Sequence, residues 1–217
     1  EDFIRELEEL RREYVVEFRG SASSLTFYRG HASQDWQLAP RLYREGMHFE
    51  EQNLLRDAQR RVPQEFALES DFRKMAKMQH FGLPTRLLDI TSNPFVALYF
   101  ACQDPSEADG QVHILPILVS FGELGYMVPI VMEFAFRHTW QNLCLDSFAR
   151  EVREHLPLDP PSVAEAMSSA MHTLTGPYTA VLAANANPRL LAQSGAFLLF
   201  GMKEEKREVS TNAGTKG

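Results

Sequence analysis

Cysteine is scarce in this chain: two residues, Cys102 and Cys144, in 217. Neither belongs to a CxxC pair, which removes the usual zinc and dithiol signatures. Both lie in apolar runs, LYFAC and QNLCLD, and read as buried free thiols in a reducing compartment. Long apolar runs are missing as well. No segment approaches the ~20 consecutive apolar residues of a membrane helix. The opening EDFIRELEEL is acidic and amphipathic, opposite in character to a secretory leader. Nor is there an excess of positive charge. The net charge of −7 argues against a general grip on duplex DNA or anionic lipid. These absences point to a cytoplasmic protein that meets neither membrane nor duplex.

Familiar catalytic loops are absent too. GxxxxGK[ST], GxGxxG and GxSxG do not occur, so P-loop, dinucleotide-turn and hydrolase-elbow chemistry lack their scaffolds. HExxH is missing, and the histidines are scattered at 31, 48, 80, 113, 138, 155 and 172. No metal is expected. His113, alone in a strand, reads as a satisfied structural residue.

What the chain does have is apolar material: 44% hydrophobic and 11% aromatic residues, enough for a sizeable core in one domain. Phe3, Leu7, Leu10 and Tyr14 recur at helical spacing, so 2–14 reads as a packing helix. LTFYRG (25–30) reads as a strand with Arg29 at its end, beside a glycine where backbone can approach a ligand. HASQDWQLAPRLYR (31–44) reads as a loop anchored by Trp36, and 50–67 as a polar helix kinked at Pro63. Ser70 is the expected N-cap of a helix over 71–80, closed by Gly82 and Pro84. TRLLDITS is then a short extended segment. Asn93-Pro94 opens a helix, PFVALYFAC, whose apolar character on every side predicts full burial. Phe95, Tyr99, Phe100, Phe197 and Phe200 are expected in the core. QVHILPILV (111–119), VPIVMEFAF (128–136) and AFLLF read as strands, and 138–155 and SVAEAMSSAMHTL as further helices with the linker LPLDPPS between them. The tail from 202 to 217 is expected to be disordered. Helices and short strands mix without a βαβ rhythm. The expected class is α+β: a single domain over 1–201 with a small mixed or antiparallel sheet among several helices.

One stretch concentrates polar groups. Gln79, His80, Thr85, Arg86, Asp89, Thr91, Ser92 and Asn93 are interleaved with Phe81, Leu83, Leu87, Leu88 and Ile90. Polar groups in apolar surroundings cost roughly 2–7 kcal/mol each without partners, so this is either a satisfied network or a site. Residues 29–86 carry ten Lys/Arg against eight Asp/Glu, a local +2 that suits a small anionic ligand. A structural reading pairs Arg86 with Asp89 as a buried ion pair and Arg29 with Asp89 or Asp35. It makes His80 a helix C-terminal cap and Thr85, Thr91, Ser92 and Asn93 turn and cap residues. The functional reading has Arg29 grip phosphate through its fork of donors, with His31 in reach of the same ligand. His80 then supplies a proton-transfer group that titrates near neutrality.

FYRGHASQDWQLAPRLYR, MQHFGLPTRLLDITSNPFVALYFA and PRLLAQSGAFLLF closely resemble, in this order, the blocks of the FRG domain, a bacterial and phage domain named for its (F/Y)RG motif. Ile90, Phe81 and Ser194 depart from that pattern without touching the polar set. A looser similarity is to ADP-ribosyltransferases, which begin with a strand ending in Arg, continue with an STS strand before an A..FA helix, and end with a Gln/Glu-x-Glu strand. Tyr28-Arg29-Gly30 and Thr91-Ser92 followed by Ala97–Ala101 resemble the first two elements. In the third, Gln193 is the nearest counterpart and no glutamate follows it before Phe200. A neutral Gln offers no negative charge to an oxocarbenium-like ribose, leaving Asp89 or Glu133 to substitute. This resemblance implies NAD as substrate, with His80, Asp89 and Gln193 as catalytic candidates and Arg29, His31, Arg86, Thr91 and Ser92 as ligand contacts. It also implies an ADP-ribosyltransferase or NAD-cleaving role in a toxin or anti-phage effector. The alternative is a non-catalytic module that binds a nucleotide, RNA or protein.

Overall fold

The structure, a computed structural model, describes residues 2–17, 25–103, 108–117, 120–122, 127–137, 178–182 and 194–201. Along them run α1 (Asp2–Glu17), β1 (Leu25–His31), α2 (Arg41–Arg44), a 3-10 turn (Met47–Glu50), α3 (Glu51–Arg61), α4 (Pro63–Phe66) and α5 (Asp71–His80). Then follow β2 (Leu87–Thr91), α6 (Pro94–Ala101), β3 (Gln111–Ile117), β4 (Ser120–Gly122), α7 (Met127–Arg137), β5 (Thr179–Leu182) and β6 (Gly195–Leu199). The strands form one sheet in the order β3-β1-β2-β6-β5-β4. Neighbours are antiparallel except β4 and β5, which are parallel. The class is α+β, with one mixed sheet among several helices.

Local chemistry fixes the elements beside β2. The Ser70 hydroxyl accepts from the Arg73 amide, capping α5, and Gly82 takes the left-handed φ of 86° just past its end, where glycine carries no Cβ penalty. The Asn93 side chain accepts from the Phe95 amide, with Pro94 as first helical residue of α6. Both helices therefore start and stop where their caps dictate, and β2 is stretched between them.

Strand alternation then sorts the core onto two faces. Phe27, Leu88, Ile90, Leu115, Ala196, Leu198 and Phe200 pack on one face with Leu38 and Tyr43. Tyr28 and Ala97 pack on the other with Leu7, and Phe72 of α5 meets Phe197 edge-on at 5.7 Å. Gly30 is required there by close approach. A Cβ on it would stand 1.8 Å from the Ala97 carbonyl oxygen and 2.8 Å from the Ala101 amide nitrogen. What comes close to the backbone at Gly30 is thus α6, where the sequence had raised a ligand.

One charged pair lies inside this core. Arg86 donates from Nε to Glu51 Oε1 at 2.7 Å and from a terminal nitrogen to Glu51 Oε2 at 2.6 Å. Its other terminal nitrogen donates to the Phe200 carbonyl at 3.1 Å. Both side chains are 1% exposed. Burial alone opposes the Arg86 charge, and the adjacent Glu51 carboxylate more than reverses that, leaving the guanidinium more basic than usual. The pair ties the start of α3 to the end of β6 through the residue that leads into β2.

Several expectations change. Arg86 pairs with Glu51, across thirty-five residues of chain, and not with Asp89. VPIVMEFAF is helical within α7 and not a strand. α6 is only partly buried: Ala97 and Ala101 are covered, while Phe95 is 54% and Tyr99 62% exposed. Cys102 is an exposed free thiol at the end of α6. Trp36 is 47% exposed, so its ring does not anchor the 31–44 segment, which also contains α2. The polar helix over 50–67 is two, α3 and α4, broken before Pro63. Cys144, the helices expected over 138–155 and from 162, their linker and the 202–217 tail lie outside the described residues.

Glu51→Gln leaves the Arg86 charge buried without its counter-ion, and should cost ~3–5 kcal/mol. Urea unfolding reads this as a lowered midpoint at unchanged slope. The double variant Glu51→Leu/Arg86→Met should recover most of that loss.

Candidate functional site

The sheet opens between β1 and β2. Their register is a single pair, Tyr28 with Thr91, whereas β1 and β3 pair along seven residues. Where the ladder stops, a narrow cleft of about 30 Å³ is lined by Tyr28, Arg29, Gly30, Asp89, Thr91 and residues of α6. It has room for a water or one ligand oxygen. Arg29 stands at this opening and donates to the Asp89 backbone carbonyl at 2.7 Å, an acceptor that an extended ladder would have used. Tyr28 and Thr91 share the α6 face, so by alternation the Asp89 side chain leaves β2 toward that face and Arg29 leaves β1 toward the other. Arg29 and Asp89 meet through backbone, not as an ion pair.

The second partner of Arg29 is also neutral. Its Nε donates to His31 Nε2 at 3.3 Å. His31 is 4% exposed, and its Nδ1 lies 3.2 Å from both the Trp36 carbonyl oxygen and His113 Nε2. The His31 and His113 rings meet edge to face at 4.6 Å. Burial, then the Arg29 charge and then His113 pull the His31 pKa down to about 4. Burial and Arg29 depress His113 in the same direction. Arg29 itself is held below the ordinary guanidinium value, first by burial and, against the pull of Asp89, by the neighbouring charge of Arg44.

This is the reverse of Arg86. There a carboxylate at 2.6 Å neutralises the charge. Among the described residues Arg29 and Arg44 have no ion-pair partner within 4 Å. A guanidinium withdrawn from water, beside a second one, attracts an anion.

The other sequence candidates are dispersed. The Asp89 carboxylate accepts from Gln79 Nε2 at 3.0 Å, and Gln79 Oε1 accepts from Thr85 Oγ1 at 2.6 Å. This chain of bonds ties the end of α5 to β2. His80 is exposed at the end of α5, its ring against Phe81, and does not line the cleft. Arg86 is consumed by Glu51. Thr91 Oγ1 accepts from the Asn93 amide, and the Ser92 amide donates to the Ser194 carbonyl, so both shape the turn into α6. Gln193 lies outside the described residues, and the side chain of Glu133, on α7, does as well. Among the described residues no three His, Cys, Asp or Glu side chains gather as a metal site, and no helix is long and apolar enough to cross a membrane.

Three groups at the opening were not placed there from sequence: His113, which read as a structural residue, Arg44, and the carbonyl of Trp36, which read only as a loop anchor. His113 pairs with Arg29 in the β1–β3 register, which the strand assignments contained without fixing. Arg44 sits on α2, a turn that loop composition hid.

Neutral His31 and His113 give the fold a pH dependence of definite sign. Both folded pKa values lie below the ordinary 6.5, so the unfolded chain binds protons first and stability rises with pH. Stability should be full above pH ~6.5 and fall as pH drops toward 4. Urea midpoints at pH 7 and 5 measure this, and His31→Gln should flatten the slope.

The family model of the FRG domain matches residues 24–110, a span from the residue before β1 to the residue before β3 that contains Arg29, His31, Arg44, Glu51, Arg86 and Asp89. Neither the curated proteins nor the solved structures contain a significant match to the chain. The stretch that builds the cleft and both arginine sites is the stretch that matches the FRG domain.

Proposed function

We propose that this chain is a nucleotide-binding domain, with NAD the favoured ligand and Arg29 its phosphate contact. The observation that carries the reading is a partly buried guanidinium held by two neutral acceptors at a break in the sheet. An oxyanion there would take up the donors of Arg29 that its anchors leave over, in the forked geometry that suits phosphate. Arg44 on α2 adds positive charge to the same neighbourhood, matching a diphosphate better than a single phosphate. The half-exposed Trp36 ring, 6.1 Å from His31, is a surface on which a base can stack. A dinucleotide is far larger than the 30 Å³ cleft. It would lie along the outer surface with one group in the opening.

Binding is better supported than turnover. The Asp89 carboxylate is bonded to Gln79 and leaves the sheet on the face opposite the Arg29 side chain. ADP-ribosyl transfer or NAD cleavage is the second reading. It is favoured by one observation, that Asp89 is exposed and lines the same cleft as Arg29 and Thr91. In that case Asp89 would oppose the positive charge developing on the ribose as nicotinamide leaves. A cytoplasmic NAD-sensing or NAD-consuming effector of toxin or anti-phage type fits either version, and an RNA end or a protein-borne phosphate is the competing ligand for the same arginine.

Calorimetry with NAD and ADP-ribose, coupled to mass spectrometry of the recovered ligand, separates the readings. The expected outcome is binding that Arg29→Ala abolishes, with the ligand recovered intact. Nicotinamide release that Asp89→Asn abolishes would establish the catalytic version, with free ADP-ribose marking cleavage and a mass increase on an acceptor marking transfer. Absence of binding to both compounds would sink the proposal.

A further inference from the structure

We propose that His31 is the positioning residue of the Arg29 site, acting as a fixed neutral hydrogen-bond acceptor that aims the guanidinium without neutralising it. The inference rests on the reading of Arg29 as a phosphate contact and adds how the protein keeps that charge available. An arginine guanidinium has only donors. Arg29 Nε–H points at His31 Nε2, so that nitrogen must carry a lone pair. The ring proton of His31 is then on Nδ1, where the Trp36 carbonyl oxygen accepts it. His113 Nε2 faces the same Nδ1 at 3.2 Å and must itself be a lone pair. His113 therefore holds its proton on Nδ1. Two neutral histidines in one tautomer thus back a single arginine, and the order of the chain is set by its first member, which cannot change state.

The choice of a histidine acceptor has a consequence. A carboxylate in place of His31 would hold the same Nε–H more tightly, as Glu51 does for Arg86, and would cancel the charge that an anion needs. The groups facing His31 are Arg29 on its own strand, His113 on β3, the Trp36 carbonyl, and Arg44 on α2. Every charged one among them is positive. Protonating His31 would set Nε2–H against Nε–H and add a third positive charge. The surroundings keep the ring neutral, and so keep Arg29 in place. The side-chain fork beyond Nε is anchored at one more point, the Asp89 carbonyl, and its remaining N–H groups are free to meet oxygens of a ligand.

The test uses the full chain labelled with ¹⁵N at histidine and arginine. At pH 7, His31 should show a pyrrole-type Nδ1 and a pyridine-type Nε2, and the Arg29 Nε–H should exchange slowly with solvent. His31→Gln places a carbonyl oxygen near the position of Nε2 and should keep that slow exchange. His31→Asn places only a donor near Nδ1 and should lose it. Titration with NAD and with inorganic pyrophosphate should then show His31→Gln close to wild type and His31→Asn weaker by about tenfold, the effect of one charge-assisted hydrogen bond. The proposal is overturned if His31 carries its proton on Nε2, or if both variants bind as wild type does while Arg29→Ala does not bind. Should wild type bind neither probe, the nucleotide reading fails. The tautomer and the exchange rate of Arg29 still decide the role of His31.

Discussion

The buried pair of Arg86 and Glu51 is the interaction on which the rest of this domain depends. It joins α3 to the strand pair β2–β6 in an apolar interior where neither charge could stand alone. Buried ion pairs rarely add much over a well-packed apolar pair, but removing one partner is costly. The pair thus acts as a constraint. It fixes the residue that leads into β2, and with it the position of Asp89 and Thr91 relative to β1. Gly30 supplies the complementary constraint from the other side, since only a residue without a Cβ lets α6 lie on β1. Between these two fixed points the sheet opens.

What the opening contains is decided by a difference between two arginines. Arg86 is given a carboxylate and disappears into the core. Arg29 is given a backbone carbonyl and a neutral imidazole, and its charge remains to be met. The same side chain is neutralised within the fold in one place and hydrogen-bonded to neutral acceptors in the other, and the difference lies in the charge of those direct partners. The Thr85–Gln79–Asp89 chain is of the structural kind, linking α5 to β2 by polar bonds.

Local signals carried the sequence reading where they were sufficient. Ser70, Gly82 and Asn93-Pro94 marked helix ends because caps and left-handed turns are satisfied by residues a few positions away. Alternation was enough for β1 and β3. The failures have physical causes as well. VPIVMEFAF is rich in β-branched residues and apolar throughout, so periodicity could not separate strand from helix. PFVALYFAC is uniformly apolar, which says nothing of which side faces water. Arg86 was assigned the nearest acid, Asp89, because Glu51 sits in a helix whose composition looks solvated. Long-range pairing of that sort is invisible to spacing. For the candidate site, Arg29 and His31 were named from their place around Gly30, whereas His113 and Arg44 required the register and the fold.

The central claim is that Arg86 serves the fold and Arg29 serves a ligand. Comparing the unfolding free energies of Arg29→Met and Arg86→Met tests it without knowledge of that ligand. Arg86→Met strands the Glu51 carboxylate in the core and should cost ~3–5 kcal/mol. Arg29→Met leaves only two neutral acceptors, the Asp89 carbonyl and His31 Nε2, without their donor and should cost about 1–2 kcal/mol. Equal losses for the two variants would contradict the account.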